Sequence, residues 1–288
     1  MRASIVVLGM ALVVSAAVTG SARGLVYGER HAFFIDAPSG WTLDTKSGVS
    51  EGLHAVFYPT GTSWKNAPAV MYVNTAARRP GKTLAAFVQD EIAGFHETNP
   101  KLVVKDGEPI AIPGREPAMV RYLSGDQWDN REAIAYLNEK RVFVLFVLTC
   151  RTEESYSSSL AAFRTLVGSY DFLTDRPGDA TEEFDLIQRL AQDQEKTRAG
   201  TAYADSWNRY FAARHAPTLK KCFDTVPNPD GSSFDLLVRI AADGRPLETL
   251  VRPPTNVAEC LRRAMADDRY PKPPKPRYWF HTAMKITP

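Results

Sequence analysis

Phe234-Asp235-Leu236-Leu237-Val238-Arg239-Ile240 is the stretch whose reading decides the fold. Phe234, Leu236, Val238 and Ile240 alternate, the pattern of a strand with one face in a core. Ala242-Asp243-Gly244 follows, and Asp-Gly supplies the positive φ that a hairpin turn needs. A second strand spans residues 247–251. A helix over residues 256–265 places Val257, Cys260, Leu261 and Ala264 at i, i+3, i+4 and i+7, so Cys260 faces inward. Tyr270-Pro271-Lys272-Pro273-Pro274 turns the chain into a last strand over residues 278–286. Its Tyr278, Phe280 and Thr282 lie on the opposite side from Trp279 and His281. This order points to a partner-binding module.

Three of these segments carry a resemblance. Val238-Arg239-Ile240-Ala241-Ala242-Asp243-Gly244-Arg245, Cys260-Leu261-Arg262-Arg263-Ala264 and Tyr270-Pro271-Lys272-Pro273-Pro274 resemble the C-terminal domain shared by TonB and TolA. The resemblance implies a small α/β sandwich over residues 201–288. It also implies that a strand edge pairs with a peptide or protein partner. The edge near Trp279 and His281, with the basic patch Arg262, Arg263 and Arg269, is the expected contact surface. Transducers of that family have a membrane anchor and a long spacer, so the fold carries over and the energy-coupling role does not.

Upstream, Tyr203, Trp207, Tyr210 and Phe211 mark a helix, and Pro217 opens a further turn carrying Leu219, Cys222 and Phe223. Residues 176–200 read as a helical linker. Phe184, Ile187, Leu190 and Ala191 form its narrow apolar stripe, it bridges the two halves, and Gly200 breaks it. This segment is acidic, whereas the tail is basic; both patterns suit solvated faces.

Residues 24–175 alternate strand and helix. Strands are expected at 32–36, 54–58, 69–73, 118–123, 131–137 and 141–149. The last is almost wholly apolar and belongs at the centre of the sheet, paired as a hairpin with its predecessor through Asn138-Glu139-Lys140. Thr83 caps a helix with Leu84, Phe87, Val88, Ile92 and Phe95 on one face. A closing helix spans residues 154–170, with Leu160, Phe163, Leu166 and Val167 inward. The expected class is α+β, with one antiparallel sheet covered by helices in this half. The opening Phe34-Ile35-Asp36-Ala37-Pro38-Ser39-Gly40-Trp41 and the ending Ser169-Tyr170-Asp171-Phe172-Leu173 resemble the PsbP-like fold. That resemblance implies a non-catalytic binding or assembly role and carries no site residues.

At the N-terminus, Arg2 precedes an apolar run over residues 5–18, followed by Gly20, Ser21 and Ala22. This reads as a secretory signal, with cleavage expected after Ala22 and an uncleaved N-terminal anchor as the alternative. The run is short for a membrane span, and no later segment is apolar enough for one. The mature chain is expected in the periplasm or outside the cell. A net charge of +2 over 288 residues argues against broad nucleic-acid binding. Three cysteines in an exported chain suggest one disulfide, Cys222 with Cys260, while Cys150 packs as a small buried residue.

No reaction is legible. The five histidines, His31, His54, His96, His215 and His281, have no metal-ligand spacing. There is no nucleophile elbow or phosphate loop. Gly125-Asp126-Gln127-Trp128-Asp129-Asn130 lacks a distal Glu for calcium and reads as a polar hairpin loop. Trp64 and Trp128 are either contact points or tucked against the sheet. No cofactor is implied. The expected function is a non-catalytic binding or assembly protein of the bacterial envelope. An exported hydrolase or a small-ligand or lipid carrier, with its site in the first half, is the alternative.

Overall fold

The computed structural model describes residues 22–177 and 182–285. The signal segment lies outside the described residues except for Ala22, as do Thr181 and the last residue of the final expected strand, Ile286. The chain is α+β, with antiparallel strands throughout.

The largest sheet has seven strands: β3 (Trp41–Asp44), β4 (Ala55–Pro59), β5 (Ala69–Ala77), β6 (Val103–Ile110), β7 (Ala118–Ser124), β8 (Arg131–Asn138) and β9 (Val142–Cys150). Their spatial order is β3-β4-β5-β9-β8-β7-β6, so the apolar strand β9 is central, next to β8. Helix α1 (Leu84–Thr98), capped by the Thr83 side chain, lays Val88 on one face over Ile134, Tyr136, Phe143 and Leu145. Helix α2 (Glu153–Gly168) packs Phe163, Leu166 and Val167 on the other face. A reciprocal Thr152–Ser155 capping box starts α2, satisfying two N–H groups that would otherwise be orphaned.

The expectation of one sheet in the first half is corrected. Strands β1 (Arg23–Gly28), β2 (His31–Asp36) and β10 (Asp171–Thr174) form a separate three-stranded sheet, ordered β1-β2-β10. Strand β2 is apolar on both faces, because both are covered. Val26, Phe33 and Ile35 join the core of the large sheet. Ala32, Phe34 and Leu173 turn the other way, into a core shared with the second half.

Helix α3 (Glu183–Glu195) contributes Leu186, Ile187 and Ala191 to that shared core, so it bridges the halves through packing. Its end is at Lys196, not at Gly200. Thr197 caps a new helix, α4 (Arg198–Arg214), and Gly200 lies in the first turn. A side chain at Gly200 would collide with the Gln194 carbonyl, so this glycine permits a tight helix-to-helix corner. Helix α5 (Ala216–Thr225) has Pro217 in its first turn.

The third sheet has β11 (Phe234–Ile240) between β12 (Pro246–Arg252) and β13 (Tyr278–Met284). Trp207 of α4 and Ala258 and Leu261 of α6 (Asn256–Ala264) pack on Leu236, Val238 and Phe280. The opposite face, with Leu237 and Trp279, lies in the shared core. Cys222 of α5 and Cys260 of α6 form a disulfide with a Cα–Cα distance of 5.8 Å, while Cys150 is buried and free.

Candidate partner-binding site

Trp279 and His281 lie on one face of β13, as alternation requires, but that face is not an outer surface. Trp279 is fully buried with Leu237, Ala32 and Phe34. The Arg23 guanidinium lies 3.1 Å from the centroid of the Phe34 ring and 5.8 Å from that of Trp279. The assignment of Trp279 to a partner surface is therefore corrected. The strand pattern distinguishes two faces but does not tell solvent from a neighbouring sheet.

His281 is half-buried. Its Nε2 lies 2.8 Å from Asp235 Oδ1 and 3.1 Å from Gln188 Nε2. Its backbone N–H donates to Glu195 Oε1 at 3.1 Å. Burial raises the Glu195 carboxyl above its ordinary pKa, and the bond from His281 opposes that rise. Helix α3 thus takes part of the outer edge of β13, the ribbon first expected to be open.

Arg262, Arg263 and Arg269 lie elsewhere. Arg262 ion-pairs with Glu259 one turn back on α6, at 2.8 Å. Arg263 is exposed on the same helix. Arg269 is exposed in the corner beyond it, 3.3 Å from Asp243. Because α6 packs on the Leu236–Phe280 face, the sheet separates the arginines from Trp279 and His281. The five residues do not converge.

Strand β12 pairs with β11 alone among the described residues. The direction of its backbone groups follows from the ladder. The His281 N–H points away from β11, so Leu237 and His281 are a non-hydrogen-bonded pair. Leu237 then turns its N–H and C=O toward Leu250 on β12. Thr249 and Val251, one residue to either side, turn theirs outward. The bulge between Arg239 and Ile240, with Pro246 at the strand start, confines the free ribbon to residues 248–252. Leu247 beside it is an exposed large apolar side chain.

Among the described residues, no group of three His, Cys, Asp or Glu side chains comes together to hold a metal ion. The Cys150 thiol is pushed up to about 11 by burial, which disfavours the thiolate. Burial, with some help from His54, lowers His31 to about 4. Asp126 accepts from the backbone N–H groups of Trp128 and Asn130, the polar loop expected there. Trp64 meets Tyr72 edge-on and donates to Glu51, whereas Trp128 stands exposed. No helix among the described residues is long and apolar enough to cross a membrane.

No family model matches the chain, and no curated protein does. Several solved structures are similar to parts of it, three of them as follows. Cyanobacterial PsbP (CyanoP) from Synechocystis is 15% identical, covering 55% of this chain and 95% of its own, with a TM-score of 0.38. LpqN, involved in cell envelope biogenesis of Mycobacterium tuberculosis, is 16% identical, covering 52% and 90%, with a TM-score of 0.39. A variant of the protein Mog1 is 10% identical, covering 55% and 97%, with a TM-score of 0.35. At these TM-scores the likenesses carry neither an activity nor a partner to this chain.

Proposed function

We propose that the chain is an exported, non-catalytic binding or assembly protein of the bacterial envelope. Its second half captures an extended segment of a protein partner by strand addition along β12. The outward N–H and C=O groups of Thr249 and Val251 carry this reading, because an unpaired strand edge is a template for another chain. Arg263, exposed on α6, favours an acidic segment, because α6 packs against the sheet on the side to which Val251 points. The resemblance to TonB and TolA C-terminal domains agrees with this mode. Residues 24–175, the PsbP-like half, serve as the scaffold. The export signal read from the sequence of residues 1–22 supports a location in the periplasm or outside the cell. A cut after Ala22 would leave β1, which starts at Arg23, whole.

Thr249→Pro tests the proposal. Proline there removes an outward N–H and leaves the bonds to β11 in place. A photo-crosslinker at Val251 in the native envelope should attach to a single protein through an extended acidic segment. Thr249→Pro should abolish that attachment while leaving the melting temperature nearly unchanged. Attachment that survives Thr249→Pro would remove the strand-addition reading.

A further inference from the structure

The β5–α1 loop and the β8–β9 turn, both at one end of the large sheet, carry an unusual density of positive charge. Arg78, Arg79, Lys140 and Arg141, with Arg30 from the β1–β2 turn, line an open depression of about 510 Å³. The backbone is held there by specific bonds. The Arg78 N–H donates to the Arg141 carbonyl at 2.9 Å. The Arg78 guanidinium donates to the Lys82 carbonyl, the Asn138 side chain and the Glu139 carbonyl. Arg78 is thereby used up as a strut.

The other four cations are exposed and poorly compensated. Among the described residues, no carboxylate pairs with Arg30, Arg79 or Arg141. Arg141 donates to the Asp175 backbone carbonyl, and the Asp175 carboxylate lies 3.9 Å from the Lys140 ammonium. Glu139, in the same turn, is committed to Arg115 and Tyr170. Converging like charges repel, and an anion bridging them relieves the repulsion.

Arg79 also lines a second cavity, of about 580 Å³, between α1 and the sheet. Its walls are mainly apolar: Ala76, Ala77, Phe87 and Phe143. Lys82 and Asp90 at its rim neutralise each other, and burial raises the Glu91 carboxyl toward its neutral form. Each volume falls within the roughly 300–1,000 Å³ of small-molecule sites. A cationic bowl thus opens beside an apolar cleft, with one arginine in both walls.

We propose that this end of the first half binds one monomeric anionic amphiphile. Its headgroup rests on Arg30, Arg79, Lys140 and Arg141, and its apolar chain lies in the cleft beside Phe87 and Phe143. Guanidinium groups suit a phosphate or carboxylate head because they donate in a planar fork. The site does not involve β12, so it and the strand-addition reading stand or fall separately.

Titration calorimetry on the full mature chain tests the assignment, with monododecyl phosphate as probe below its micelle concentration. One molecule should bind per chain, and inorganic phosphate and dodecyl maltoside should each bind about tenfold or more weakly. Arg79→Glu and Ala77→Trp, both at exposed positions, should each weaken the probe by about tenfold or more, with unchanged circular dichroism. Equal binding of inorganic phosphate would reduce the site to an anion bowl and overturn the proposal. Equal binding of dodecyl maltoside would reduce it to an apolar cleft and overturn the proposal as well. Binding only to vesicles of anionic phospholipid, with none of the monomeric probe, would indicate a membrane-surface patch instead.

Discussion

Arg239 on β11 forms an ion pair with Asp171 on β10, so a largely buried salt bridge joins the third sheet to the small sheet of the first half. Burial pulls the Arg239 guanidinium below its ordinary pKa, and Asp171 opposes that pull. Arg277 approaches the other Asp171 oxygen at 3.9 Å. Asp171→Asn leaves a buried guanidinium without its counter-charge, which costs roughly 3–5 kcal/mol. Replacing both partners with apolar residues should cost less. Urea unfolding of the single and double variants checks this, and a single-variant loss below about 1 kcal/mol would contradict a desolvated pair.

Trp279 packs in the same junction, and Trp279→Ala should cost roughly 3–5 kcal/mol through lost burial and the cavity left behind. Arg263→Ala, on the exposed face of α6, should change stability by less than about 0.5 kcal/mol. Thermal melts of the two variants separate a structural tryptophan from a surface contact.

His31 makes stability depend on pH. Its imidazole is buried and its folded pKa is about 4, against 6.5 when exposed, because burial and the nearby His54 disfavour the charge. Above pH 6.5 neither state carries the proton, and the group contributes nothing. As pH falls from 6.5 to about 4, the unfolded chain takes up a proton that the folded chain refuses, so stability declines through that window and levels off below it. The decline from this group is at most roughly 3–4 kcal/mol. His31→Leu should flatten the stability profile between those limits; an unchanged slope would assign the acid sensitivity elsewhere.

The Cys222–Cys260 bridge spans 38 residues of sequence. Closing such a loop stabilises the fold by about 4 kcal/mol in the chain-entropy model. The double variant Cys222→Ala/Cys260→Ala should lose up to that amount. Peptide mapping without reductant should find those two peptides joined and Cys150 unmodified by alkylating reagents until the chain unfolds. Early labelling of Cys150 would show that its strand end opens in the native state.

The legible parts of the chain were those where a local rule has a single outcome. Gly244 adopts φ +88°, as the Asp-Gly turn requires, and the Tyr270 carbonyl lies where a side chain would stand. The apolar run of β9 demanded cover on both faces, which only a central strand receives. Cys260 met Cys222 because both point inward from neighbouring helices. Strand β6 was missed because Lys105, Asp106, Gly107, Glu108 and Pro109 lack alternation; it is the outer strand of its sheet, and much of it is exposed. The basic bowl was missed because its residues come from three turns far apart in sequence.

Local patterning therefore placed most of the helices and strands and the apolar side of each, since 3.6- and 2-residue periods are properties of the backbone. It left undecided what covers each apolar side. Packing supplied that answer: it buried Trp279, occupied the outer edge of β13 with Glu195, exposed the edge of β12 and gathered Arg30, Arg79, Lys140 and Arg141 at one end of a sheet. Burial and charge convergence depend on contacts between distant segments, and no window of neighbouring residues contains them.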